Sequence, residues 1–165
     1  MSRPLRAGIL AALAALVLDQ ASKLWLLYVF DLGRRGVVQV TPFFDLWLAW
    51  NVGISFGWFQ NDSFLAQVFL TVVKAAAVVA LALWMAWSRT LLATISLGLI
   101  IGGAVGNGID RFLHGAVVDF AHFHLDMAGI RYSWYVFNLA DVAIVAGVAA
   151  LLYDSFLGVP AAKAP

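Results

Sequence analysis

Apolar and polar positions along the chain separate into four long apolar stretches: roughly Gly8 to Phe30, Phe64 to Trp87, Leu91 to Ile109 and Val136 to Leu157. Each is long enough to cross about 30 Å of hydrocarbon as a helix. The pattern therefore predicts an α-helical integral membrane protein with four transmembrane helices. The opening "MSRPLRAGILAALAALVL", with Arg3 and Arg6 ahead of an apolar run, also fits a cleavable signal peptide. Against that reading, the apolar character resumes after "DQASK" as "LWLLYVF", which gives a segment of spanning length. It is taken as the first helix. Asp19 and Lys23 lie four residues apart within it, so they share a face and can pair, which favours a structural role.

The segments between the spans differ in kind. Residues 31–63 are rich in β-branched and aromatic side chains and are broken by Pro42, Gly53 and Gly57. They predict short strands and turns at the membrane interface, a small β-rich element beside an interfacial loop. Lys74, inside the second span, either snorkels or faces the bundle. Gly98, Gly102 and Gly106 repeat at the four-residue spacing that lets membrane helices approach closely. After them, "VVDFAHFHL" and "IRYSWYVF" flank "DMAG", predicting a hairpin with its turn near Met127 and Ala128. That register sets Asp119 opposite about Val136, roughly one helical turn from Asp141.

Composition sharpens this picture. The chain of 165 residues is 64% hydrophobic and 12% charged, too apolar for a soluble domain of this size. So little chain lies outside the spans that residues 1–165 are expected to form a single membrane-embedded domain, with any chemistry at the helix ends. A formal charge of +1 without a basic run excludes a nucleic-acid partner. The absence of cysteine removes thiolate nucleophiles and Cys-based metal sites. Four spans put Arg3, Arg6, Arg89 and Lys163 on one side and Arg34, Arg35, Arg111 and Arg131 on the other, an even count. Committing Arg111 to a pair with Asp110 tips the balance toward cytoplasmic termini.

All nine acidic residues are aspartates, and ionisable groups near membrane depth are candidates for function. Asp119 and Asp141 form the first candidate site. Two carboxyls that share a site cannot both ionise easily, so one holds a proton while the other takes a proton from water attacking a carbonyl. Three other readings compete. Residues 53–57 contain a literal G-x-S-x-G around Ser55, but the strand, tight turn and helix of an α/β-hydrolase are missing around it. His122 and His124, near Asp119 and Asp126, suggest a metal site without a clear third ligand. Asp19, Lys23, Lys74 and Asp141 could form the intramembrane relay of an ion or proton transporter, although the polar blocks gather at helix ends.

The blocks "DQASK" (19–23), "NVGISFG" (51–57), "GGAVGNGIDRFLHGAVVDF" (102–120) and "FNLADVAI" (137–144) resemble, in order and over essentially the whole chain, those of lipoprotein signal peptidase, the bacterial signal peptidase II. The resemblance implies a membrane aspartyl endopeptidase that cuts prolipoproteins just before a cysteine carrying diacylglyceryl, with Asp119 and Asp141 as its catalytic pair. It gives Asn51, Gly53, Asn107, Asp110, Arg111 and Asn138 roles in holding substrate or ordering the site, and Asp19, Lys23 and Ala140 supporting roles. Asp110 is expected to fix Arg111. At Ile54 and Ser55 the chain departs from the alanines of many members. The resemblance implies four helices with a small extracytoplasmic β-rich cradle and interfacial loop, and a monomer without metal or cofactor. It places that monomer in the bacterial inner membrane, with both termini cytoplasmic and the active site at the outer leaflet. Segments 31–63 and 117–136 are then expected to wall the substrate.

Overall fold

The computed structural model describes residues 2–52 and 64–157. Helix α1 (Arg3–Leu24) begins ahead of the apolar stretch counted from Gly8, because Ser2 caps it by accepting from Leu5 N and Pro4 lies in its first turn. A π-helical turn, Trp25–Val29, extends it. A short helix α2 (Leu32–Arg35) leads into strands β1 (Val38–Thr41) and β2 (Phe44–Asn51). Helices α3 (Phe64–Trp87) and α4 (Leu91–His114) follow, then strands β3 (Val117–Met127) and β4 (Ile130–Ser133), and helix α5 (Leu139–Leu157).

Helix α4 runs to His114, five residues past the predicted Ile109. Gly115 stops it at φ 72°, its N–H closing on Arg111 O at 3.0 Å. Helix α5 starts at Leu139 rather than Val136, because Asn138 caps it while Phe137 still pairs with Ala121 of β3. Three helical segments among the described residues are long and apolar enough to cross a membrane: Arg3–Val29, Leu91–His114 and Leu139–Phe156. Helix α3 has 24 residues, and Lys74 sits on its exposed surface.

Helix α4 is the hub, packed against α1, α3 and α5. Its small residues set how near the neighbours come. A Cβ on Gly98 or Gly102 would collide with the backbone oxygens of Gly8 and Ala12 of α1. On Gly103 it would lie 2.5 Å from Ala140 O of α5, and on Gly106 2.6 Å from Asp19 Oδ2. The small-residue spacing seen in the sequence thus lets α1 slide against α4 until Asp19 sits beneath Gly106. Leu10, Leu13, Val17, Val142, Val145 and Leu152 stay exposed on the outer sides of α1 and α5, as expected of lipid-facing positions.

The strands form one antiparallel sheet in the order β1-β2-β3-β4. Leu26 and Leu32, where α1 ends, pack with Phe120 and Ala121 of β3 and with Leu46 of β2, so the sheet caps one end of the bundle. The β3–β4 turn is Ala128–Gly129, both with positive φ as in a two-residue hairpin loop, and pairs Met127 with Ile130. It centres one residue later than predicted. With a further offset at the Ala121–Phe137 bridge, Asp119 meets Asn138 rather than Val136.

Candidate active site

A bulge in β2 shapes the site. Leu46 pairs with Ala121 but Ala49 pairs with Asp119, so two residues of β2 face one of β3. The extra residue turns Ala49 and Asn51 onto the face that carries Asp119. Asn51 Nδ2 then donates to Asp119 Oδ2 at 3.0 Å. The other oxygen, Oδ1, accepts from Asn138 Nδ2 at 2.6 Å.

Asn138 serves both carboxylates through the start of α5. Its Oδ1 accepts from Asp141 N at 3.0 Å, while Asp141 Oδ2 accepts from Asn138 N at 3.2 Å. These two bonds form a reciprocal cap of the helix N-terminus, with aspartate in the place usually held by glutamate. Asp141 Oδ1 accepts from Asn107 Nδ2 at 2.9 Å. Asn107 is oriented in turn, because its Oδ1 accepts from Asn138 Nδ2 at 3.0 Å and from Lys23 Nζ at 3.1 Å. Each carboxylate oxygen of the pair therefore receives an N–H, from three asparagine amides and one backbone nitrogen.

Asp119 is buried, and burial raises its pKa above the usual carboxylate range. The hydrogen bond from Asn51 opposes that shift, the neighbouring charge of Asp141 adds to it, and the Asn138 bond and the more distant Lys23 oppose it. The two carboxyls are thus electrostatically coupled, the condition under which a pair shares a proton.

A second polar cluster lies beside them. Lys23 Nζ reaches Asp19 Oδ2 at 2.8 Å and Asp110 Oδ2 at 2.7 Å, all three residues buried. Gln20 Nε2 donates to Asp110 Oδ1 at 2.9 Å, and to Asp19 Oδ2 and Gly106 O, each at 3.2 Å. Ala140 N donates to Asp19 Oδ1 at 2.9 Å, and Val118 N donates to Asp110 Oδ2 at 3.1 Å. The cluster ties α1, α4, β3 and the start of α5 into one frame. Gln20 was passed over in the sequence; its signal was an amide inside an apolar span, which is costly there without partners.

The expected Asp110–Arg111 pair does not form. Adjacent helical residues point about 100° apart, so Asp110 faces α1 and Lys23 while Arg111 Nη1 donates to Asn107 O at 3.3 Å. The discount applied to Arg111 in the charge count goes with it, leaving that count even. His122 and His124 turn to the other face of the sheet, where His124 Nε2 lies 3.0 Å and His122 Nδ1 3.5 Å from Asp45 Oδ2. Asp126 instead takes a bidentate bond from Arg131 at 2.8 Å. Among the described residues no group of three or more histidine and acidic side chains is placed to hold a metal ion. Gly53 and Ser55 lie outside the described residues.

Comparison with known proteins agrees with this architecture. A profile described as "Signal peptidase (SPase) II" matches residues 11–157. A protein of Nitrobacter hamburgensis named lipoprotein signal peptidase is 73% identical over 162 residues, 98% of this chain and 99% of that one. A namesake from Rhodopseudomonas palustris is 66% identical with the same coverage. A solved bacterial membrane enzyme superimposes with a TM-score of 0.75 at 26% identity, over 90% of this chain and 92% of the other. With its profile matched across nearly all of the described helices and strands, the chain belongs to the signal peptidase II family.

Proposed function

We propose that this protein is an aspartyl endopeptidase that removes the signal peptide from diacylglyceryl-modified prolipoproteins, cutting just before the lipid-bearing cysteine. The observation that carries the reading is the pair Asp119 and Asp141, held by Asn51, Asn107 and Asn138 where the sheet meets the start of α5. Family membership supplies the substrate class.

In this mechanism the coupled pair shares one proton, and the burial of Asp119 favours it on that carboxyl. Asp141 takes a proton from a water whose oxygen bonds to the scissile carbonyl carbon, while Asp119 gives its proton to the carbonyl oxygen. The tetrahedral diol collapses as Asp141 returns its proton to the leaving nitrogen and Asp119 recovers one from a hydroxyl. The chemistry uses the chain's own acids and needs no metal or cofactor.

Four spans, α1, α3, α4 and α5, in a single domain set both termini on one side of the membrane, and the family resemblance makes that the cytoplasmic side of the bacterial inner membrane, with the sheet at the outer leaflet. A lipid-anchored substrate then delivers its scissile bond to the interface, where water is available. The enzyme acts as a monomer. A transporter reading is disfavoured because Asp19, Lys23, Asp110 and Asp141 gather in one network at one end of the bundle.

The test is cleavage of a prolipoprotein by purified protein in detergent, with and without the diacylglyceryl group, and mass determination of the products. Cleavage of the modified form alone, at the bond immediately before the modified cysteine, is expected. Equal cleavage of the unmodified form, or cleavage elsewhere, contradicts the assignment.

A further inference from the structure

Strand β3 bulges at Phe120 and Ala121, whose N–H groups both donate to Phe137 O at 3.0 and 2.8 Å, and runs without a register shift from Ala121 to its tip. From there Ala121, Phe123, Leu125 and Met127 project from one face. That face looks toward the helix ends: the Phe123 ring meets those of Phe44 and Phe137, at 4.9 and 5.7 Å between centroids, and both pack against the cluster of Leu26, Leu32 and Ala121 where α1 finishes. Beyond them the face continues past the bundle. Leu125 pairs with Tyr132, Met127 with Ile130, and Trp134 N donates to Phe123 O, so all six side chains share it. All six are exposed, from 44% at Phe123 to 70% at Trp134.

The reverse face of the hairpin is polar at every position: His122, His124, Asp126, Arg131 and Ser133. A water-exposed hairpin has no reason to segregate its faces this completely while leaving the apolar one uncovered. The apolar face is also continuous with the one that rests on the ends of the spans, and so with the plane in which lipid surrounds them. Tryptophan and tyrosine at its margin are the residues that favour the headgroup level.

We infer that the β3–β4 hairpin is a membrane anchor: its apolar face, Phe123, Leu125, Met127, Ile130, Tyr132 and Trp134, lies in the outer leaflet of the bilayer. Asp126 and Arg131 face water above it. Because β3 also carries Asp119, the lipid surface holds the strand that presents one carboxyl of the candidate pair. The inference rests on the spanning topology proposed above.

The chain has no cysteine, so single cysteines can be introduced and nitroxide-labelled without background. Met127→Cys and Ile130→Cys probe the apolar face, Ser133→Cys the polar face, and Val145→Cys the exposed side of α5. Labelled proteins that keep the wild-type melting temperature are placed in phosphatidylethanolamine–phosphatidylglycerol vesicles. Collision with oxygen, which concentrates in lipid, is compared with collision with a water-soluble nickel chelate. At positions 127 and 130 the oxygen-to-nickel ratio is expected to be several-fold higher than at 133 and to approach that at 145. Ratios at 127 and 130 equal to that at 133, with 145 still lipid-like, overturn the anchor and leave the topology standing. Labels at 127 and 130 closed to both reagents also overturn it, with spin–spin broadening then marking a second copy of the chain. A label at 145 open to the chelate overturns the topology and the anchor together.

Discussion

Two groups of aspartates sit side by side in this protein and are held in opposite ways. Asp19 and Asp110 close around the single ammonium of Lys23, with further bonds from Gln20 and two backbone nitrogens. Among the described residues Asp119 and Asp141 have no cation against them; their oxygens accept from asparagine amides and one backbone N–H. An amide fixes a carboxyl in place without cancelling its charge, whereas an ammonium does both. On the proposed reading the first group is a structural clamp and the second is the catalytic pair. Residue type is the same in both, so the partners determine the role.

That contrast can be broken from either side. The largest effect belongs to Asp119→Asn and Asp141→Asn, each expected to lower the cleavage rate by about 10²–10⁴-fold, the usual worth of a general acid or base. Lys23→Met leaves two carboxylates buried around a vacated charge. A loss of about 3–5 kcal/mol of stability is expected, seen as a lower melting temperature in detergent. Asn51→Ala removes one N–H from Asp119 and keeps the clamp. It is expected to slow cleavage by about 2–10-fold, the worth of one hydrogen bond to a neutral carboxyl, with the melting temperature little changed.

The smallest effect is on pH dependence. Since the folded-state pKa of Asp119 is raised, the stability its neutral form contributes is complete below the unfolded value of about 3.9. That stability is lost as the pH climbs through the raised value. Thermal melts of the wild type should show this decline, and Asp119→Asn should lack it.

Much of this was readable in the sequence, for physical reasons that also mark where reading stops. The helices announced themselves as apolar runs, and the glycine spacing of α4 predicted a close neighbour but not which one. The boundaries depended on single capping residues, Ser2, Gly115 and Asn138, which periodicity does not register. Asp110 was assigned to its sequence neighbour because tertiary proximity is invisible in one dimension; the contact between α1 and α4 under Gly106 gave it to Lys23 instead. The bulge that turns Asn51 toward Asp119 left no signature in "FDLWLAWN", where one extra residue changes every facing after it.

The central claim is that the amide-held carboxyls, and not the clamped ones, carry the reaction. It is tested most directly by measuring cleavage rate and melting temperature on the same preparations of wild type, Asp119→Asn and Asp141→Asn, with a diacylglyceryl-modified prolipoprotein as substrate. The account predicts that both variants melt no lower than wild type yet lose at least about 10²-fold in rate. Wild-type rates in both variants, or a loss of rate that only follows a loss of folded protein, would contradict it.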